Sequence, residues 1–177
     1  MPATRQDLFA RLAELGIETR TLEHEAVFTV AQSSQLEREL ARELPGGHTK
    51  NLFLKDKKGA LFLVVALGHA QIDLKTLHKT LNCDRLSFGK PELLMEVLGV
   101  PAGSVTPFAL INDGARRVTV VLDADMMRHE RLNFHPLQNT ATTNIAREDL
   151  ARFIRSCGHQ PRVLAVSQSR NDGTGAR

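Results

Sequence analysis

Apolar residues recur along the chain in two different periods. Leu8, Leu12 and Leu15 fall at helical spacing, which predicts a helix over residues 4–15, with Thr4 placed to cap its start and Gly16 to end it. Residues 18–22 read as a short strand. Residues 51–55 and 60–66 are apolar runs separated by Asp56-Lys57-Lys58-Gly59, a turn-forming tetrad that predicts an antiparallel hairpin. Asp73 stands before a helix that carries Leu74, Leu77 and Leu81 along one side. Pro91 in a first-turn position and Gly99 just beyond Leu98 bracket another helix, with residues 85–88 as a strand between the two.

Residues 107–111 and 118–123 flank Asn112-Asp113-Gly114, the strongest hairpin signal in the sequence. Residues 131–135 read as a strand stopped by Pro136. A helix over residues 146–157 turns Leu150, Phe153, Ile154 and Cys157 inward before Gly158 ends it, residues 162–166 form a last strand, and residues 167–177 read as a disordered tail. Strands outnumber helices and two joins are tight hairpins. The expected fold is α+β: one domain over residues 1–166, with a mixed, largely antiparallel β-sheet or barrel surrounded by helices, and not a doubly wound nucleotide fold.

Composition adds limits to this picture. With 177 residues, 42% of them hydrophobic and 24% charged, the chain can bury a full core and has no bias toward disorder. No apolar run approaches the ~20 residues of a bilayer span, and the first residues have no hydrophobic signal core. A cytoplasmic protein with no membrane partner is expected. Cys83 and Cys157 lie far apart without a CxxC pattern, so neither a disulfide framework nor a structural zinc site is indicated. The net charge of +3 is mild. The cations nevertheless gather in the first half, at Arg38, Arg42, Lys50, Lys55, Lys57, Lys58, Lys75, Lys79, Arg85 and Lys90, which suits a phosphate-bearing partner as well as a solvated face.

Several motifs fail on inspection. Gly46-Gly47-His48-Thr49-Lys50 lacks the GxxxxGK[ST] spacing and runs into a strand where a phosphate loop needs a helix. There is no GxGxxG. His129-Glu130-Arg131-Leu132-Asn133 has asparagine where a zinc protease needs its second histidine, so no metal site is assigned. There is no GxSxG elbow and no recognisable cysteine nucleophile. If the chain hydrolyses a substrate, water is the nucleophile.

Three blocks carry a positive signal: Lys50-Asn51-Leu52-Phe53-Leu54, the run from Gly99 through Gly103, Ser104, Thr106 and Pro107 to Asn112-Asp113, and Asn133-Phe134-His135-Pro136-Leu137. Together and in this order they resemble the freestanding prolyl-tRNA editing proteins, the PrdX and ProXp-ala type. These belong to the superfamily that joins YbaK and the prolyl-tRNA synthetase insertion domain. The resemblance runs from about Leu8 to Val166. It implies hydrolysis of the ester joining a wrong amino acid, alanine above all, to tRNA-Pro. A synthetase pocket built for a larger apolar side chain rejects a smaller one by only about 10- to 200-fold per methylene. A second pocket too small for proline removes that error.

The resemblance assigns Lys50 as the lysine of the editing pocket, a fixed cation that orients the ester rather than the proton-transfer base. Gly103 to Pro107 matches the family's GxxxP loop, where a glycine allows close backbone approach and exposed N–H groups can hold a tetrahedral oxyanion. His135 matches the pocket histidine, which lines the amino-acid site or positions water. Asn51, Ser104, Thr106, Pro107 and Asn112 are implied as substrate-binding neighbours, and Phe28 and Thr29 resemble an early pocket edge. Each also has a structural reading: Lys50 as a surface ion-pair partner, the glycine loop as a turn, Thr106 and Asn112 as turn residues, Phe28 as core.

The implied partners are the acceptor end of aminoacylated tRNA-Pro and, further, prolyl-tRNA synthetase. No cofactor is implied. The implied chemistry is attack by water on the ester, assisted by a ribose hydroxyl of the substrate. Two other readings stay open. Relatives with this architecture remove cysteine or another amino acid from tRNA, and a non-catalytic tRNA- or synthetase-binding module would keep the fold without the reaction.

Overall fold

The computed structural model describes residues 1–26 and 30–168, and of Val30 the backbone alone. Phe28 and Thr29 therefore lie outside the described residues, as do residues 169–177 of the expected tail. The first two tail residues are held: the Ser167 hydroxyl donates to Asp123 at 2.7 Å, and the Gln168 amide donates to the Gln71 carbonyl at 2.8 Å.

The chain runs α1 (Arg5–Glu14), β1 (Thr19–Glu23), α2 (Val30–Glu43), β2 (Gly47–Asp56), β3 (Leu61–Leu67), α3 (Leu74–Leu81), β4 (Leu86–Phe88) and α4 (Pro91–Leu98). Short 3-10 turns at Ala102–Ser104 and Pro107–Asn112 follow. The chain then continues through β5 (Val118–Asp123), β6 (Arg131–Phe134), β7 (Ala141–Ala146), α5 (Arg147–Ser156) and β8 (Arg162–Leu164). The caps explain the helix ends. Thr4 and Asp7 exchange hydrogen bonds at the start of α1, the Asp73 carboxylate accepts from the Lys75 amide at α3, and Pro91 opens α4. Asn82 and Gly99 close α3 and α4 in the left-handed conformation.

The eight strands form one mixed sheet in the order β1-β7-β6-β2-β3-β5-β8, with β4 added on β2. The predicted hairpin is present as β2 and β3, antiparallel from Thr49 opposite Leu67 to Lys55 opposite Leu61. β2 is the organising strand. It pairs β6 in parallel at Gly47 and His48, and β4 in antiparallel from Leu54 to Asp56. On that edge of β2 the segment between His48 and Leu54 has no strand beside it among the described residues.

Apolar cores fill both faces. One gathers Leu8, Phe53, Leu63, Val65, Phe108, Phe134 and Phe153, and the other gathers Leu54, Phe62, Val64, Leu77 and Leu81 under α3. Phe108 anchors the first, meeting Phe134 and Phe153 edge-on at 5.9 and 5.4 Å.

One expected hairpin does not form. Residues 107–112 make a buried 3-10 turn instead of a strand, and β5 pairs in parallel with β3 and β8. Local chemistry favours this outcome. Pro107 fixes the first turn, the Thr106 hydroxyl accepts from the Phe108 amide at 3.3 Å, and the Asp113 carboxylate accepts from the amides of Arg117 and Val118. Phe108, Ala109 and Leu110 are then fully sealed in the core, more than a half-buried hairpin strand would achieve.

The structure adds two elements to the expected ones, α2 and β7, the first with Leu36, Leu40 and Leu44 at helical spacing. α2 buries Leu40 and is followed by buried Leu44, but its exposed face is a run of glutamates and arginines. β7 buries Thr142, Thr143 and Asn144.

Candidate active site

Alternation along β2 puts His48 and Lys50 on one face, and Thr49 and Asn51 on the other. His48 lies in register with Asn133 of β6. His135, two residues past Asn133, therefore comes to the face that carries His48 and Lys50. α2 crosses this face. The Glu37 carboxylate stands 3.4 Å from His48 Nε2, Asn133 donates to the Leu44 carbonyl at 3.2 Å, and Asn144 donates to Pro45 at 3.0 Å and to Asn133 Oδ1 at 2.8 Å. Arg131 donates to Asn144 in turn. This layer is polar because every one of its buried amides has a partner.

Lys50 is half-buried beside the unpaired edge of β2, and its ammonium donates to the Ala70 carbonyl. That bond fixes where the charge stands. His135 Nδ1 lies 3.0 Å from the Ala141 carbonyl. A carbonyl only accepts, so Nδ1 carries the proton and Nε2 keeps its lone pair when the ring is neutral. Burial pulls His135 below the ordinary histidine value; the Ala141 bond opposes this, while charge on His24 or His48 would add to it. His48 is likewise lowered by burial, with Glu37 opposing. The ring of His24 stands 6.2 Å from that of His135, its Nδ1 on the Glu25 carbonyl and its Nε2 2.8 Å from the Thr142 hydroxyl. A cavity of about 430 Å³ opens beside it, lined by Glu23, His24, Glu25, Gln32, Leu36 and Glu39.

On the opposite face of β2, Asn51 Oδ1 is buried with no hydrogen-bond partner among the described residues. A buried acceptor left without a donor costs about 1–3 kcal/mol. Gly103 is the exposed tip of the loop, and Ser104, Thr106 and Pro107 are its buried base. A Cβ built at Gly103 would come 3.4 Å from Asn139 Nδ2, so this tip reaches the β6–β7 connection that starts at His135. Asn112 does not join the cluster. Its Oδ1 accepts from the Ala3 amide at 2.7 Å and its Nδ2 donates to the Leu98 carbonyl at 2.8 Å, tying the start of the chain to the end of α4.

Sequence reasoning did not single out His24, His48 or Glu37. His48 had a readable signal, since it lies two residues before Lys50 and must share its face. The approach of His24 is set by β1 pairing with β7, which no local pattern announces.

Fold and geometry define a mixed-sheet α+β domain in which Lys50, held by the Ala70 carbonyl, shares a strand face with His48, the rings of His24 and His135 stand together, and a glycine-tipped loop reaches the connection that starts at His135. The chain belongs to the aminoacyl-tRNA editing domain family, whose model matches residues 24–153. It is 39% identical over 163 residues to prolyl-tRNA synthetase associated domain-containing protein 1 of Danio rerio, covering 91% of this chain and 86% of that one. It is 34% identical to the prolyl-tRNA editing protein ProX of Acetoanaerobium sticklandii, covering 92% and 97%. Its fold superposes with a TM-score of 0.67 on a crystal structure described as a candidate trans-editing enzyme for prolyl tRNA synthetase, at 18% identity and with 96% and 99% of the chains covered. No helix among the described residues is long and apolar enough to cross a membrane.

Proposed function

We propose that this chain is a trans-editing deacylase that hydrolyses mischarged tRNA-Pro, with alanine as the amino acid removed. The observation that carries this reading is the approach of the Gly103 loop to the connection that starts at His135, with His48 and Lys50 sharing one face of β2, in a chain similar over nearly its whole length to a prolyl-tRNA editing protein.

In this reading the Lys50 ammonium, held by Ala70, fixes a phosphate or ribose oxygen of the terminal adenosine and so orients the ester. Asn51 Oδ1 takes a hydrogen bond from the substrate's ammonium or hydroxyl group. Water attacks the ester carbonyl, and the neutral His135 holds it through Nε2. The tetrahedral oxyanion turns toward amides of the Gly103 loop, where one such donor contributes about 2.7–4 kcal/mol in other hydrolases. Collapse breaks the bond to the ribose oxygen, which leaves as a hydroxyl after taking a proton. The neighbouring ribose hydroxyl assists that transfer, so no protein nucleophile is needed. Free alanine and intact tRNA are the products. Such a substrate places the protein in the cytoplasm, with prolyl-tRNA synthetase as the source of the error.

Release of labelled alanine from Ala-tRNA-Pro, with Pro-tRNA-Pro and Ala-tRNA-Ala in parallel and Lys50→Ala as control, tests the reading. Selective release that Lys50→Ala suppresses is the expected result. Release of cysteine or another residue instead would keep the reaction and overturn the substrate. Tight binding of tRNA with no ester cleaved would overturn the reaction.

A further inference from the structure

A second opening lies away from the histidines, between α3 and β4. It has a volume of about 580 Å³ and is lined by Leu74, Lys75, His78, Lys79, Arg85 and Leu86. Helical spacing explains its charge, because residues 75, 78 and 79 of α3 fall on one side of the helix while Leu77 and Leu81 turn into the core. Arg85, at the start of β4, adds a third cation from across the groove.

None of these cations forms an ion pair among the described residues, whereas Arg5, Arg20, Arg117 and Arg152 each pair with a carboxylate. The nearby acids are engaged elsewhere: Asp73 accepts from the Lys75 amide, Asp84 from the Arg85 amide, and Asp56 from the amides of Lys58, Ala60 and Asp84. Three such cations around an open groove attract an anion with repeated charges and a shape that can lie along it.

From this arrangement we propose that the groove between α3 and β4 is a docking surface for the ribose-phosphate backbone of RNA. The proposal rests on the editing reading for its choice of polyanion. The connection to the site is short. The Ala70 carbonyl that holds Lys50 is four residues from Leu74 at the groove wall, a reach of at most ~14 Å. At roughly 3.4 Å per stacked nucleotide, about four nucleotides cover that distance. An RNA whose 3′-terminal ester meets Lys50 thus brings the phosphates of its first paired nucleotides to Lys75, Lys79 and Arg85. The groove reads charge and spacing along the backbone.

The test uses the full chain with Lys75, Lys79 and Arg85 all changed to glutamine. Its affinity for uncharged tRNA-Pro should fall ~10-fold or more, and the slope of log affinity against log salt should become shallower by about one per cation removed. On Ala-tRNA-Pro, KM should rise with kcat unchanged, while cleavage of an aminoacylated CCA trinucleotide, which has no paired stem to lie along the groove, should match wild type. Arginine at positions 75 and 79 should restore binding. A control with Arg128, Arg155 and Arg162 changed to glutamine should bind as wild type; an equal loss there would reduce the effect to net charge and overturn the proposal. Unchanged RNA affinity in the groove variant would overturn it too, leaving the groove to an acidic protein surface. Groove-dependent binding of tRNA by a wild-type chain that cleaves no ester would uphold the docking surface and sink the editing reading alone.

Discussion

The rings of His24 and His135 stand 6.2 Å apart and tilted by 57°, each with its Nδ1 on a backbone carbonyl. The arrangement turns the two Nε2 atoms to separate uses. That of His24 meets the Thr142 hydroxyl, and that of His135 has no partner among the described residues. One ring is thus tied into the sheet, and the other is left available to a water molecule.

A pH dependence follows. Burial lowers both His135 and His48, so in the unfolded chain they take up protons near the ordinary value of about 6.5, but in the fold only at lower pH. Between those values the unfolded state binds more protons. Stability therefore rises with pH through this window, stays level above ~6.5 and is lost as pH falls below it. The rate should follow the neutral His135 ring. We expect kcat/KM for Ala-tRNA-Pro to be flat from pH 8 to about 6.5 and to decline below, with His135→Gln slower and lacking that decline. A pH–rate series on both proteins checks this, and the same acid decline in His135→Gln would remove the ring from the reaction.

Asn51 separates stability from activity. Its buried Oδ1 has no donor among the described residues, so replacement by a leucine of similar shape removes an unsatisfied acceptor. Asn51→Leu should change the unfolding free energy by less than ~1 kcal/mol, or raise it. The same change should lower kcat/KM about 10-fold or more if the substrate supplies the missing donor. Thermal unfolding and steady-state kinetics on one preparation decide it; a wild-type rate would return Asn51 to the core.

Much of the frame was legible before the structure. Thr4, Asp73, Pro91 and Gly99 signalled helix ends because capping is chemistry between neighbours in sequence. The β2–β3 hairpin was legible for the same reason, through its four-residue turn. The 3-10 turn at Pro107–Asn112 misled because Asn112-Asp113-Gly114 is a valid hairpin signal locally. What decided the outcome was the burial of Phe108 against Phe134 and Phe153, a contact between distant segments. β7 was hidden because its buried Thr142, Thr143 and Asn144 are satisfied by hydrogen bonds with His24, with Thr21 of β1, with Asn133 of β6 and with the Pro45 carbonyl, all outside its own stretch of sequence. In the site, Lys50, Gly103 and His135 stood out by resemblance. His24 and His48 emerged only once the strands were paired.

Gly103 offers a clean separation of folding from chemistry. Among the described residues a Cβ there meets only Asn139 Nδ2, at 3.4 Å. Gly103→Ala should therefore shift stability by less than ~1 kcal/mol. If the loop backbone closes on the tetrahedral intermediate, the added methyl blocks that approach and kcat falls by about 10²-fold, the cost of losing one oxyanion donor. Unfolding and single-turnover rates on Gly103→Ala measure the two effects; unaltered turnover would assign the loop to the fold.

The pair Asp113 and His159 predicts the reverse pattern. Asp113 Oδ2 lies 2.9 Å from His159 Nε2, with both residues almost completely buried, and the same carboxylate accepts from the amides of Arg117 and Val118. His159 Nδ1 is buried without a partner among the described residues. Removing His159 leaves the carboxylate two donors, whereas removing Asp113 leaves two amides and a ring nitrogen newly unpaired. His159→Ala should cost about 1–3 kcal/mol and Asp113→Ala about 3–5 kcal/mol. Because the pair fastens the end of α5 to the turn before β5, away from Lys50 and His135, whatever protein remains folded should cleave at the wild-type kcat. Denaturant unfolding of both variants, with activity per folded molecule, checks the order; a larger loss for His159→Ala would mean that the ring's packing, and not the carboxylate, holds this corner.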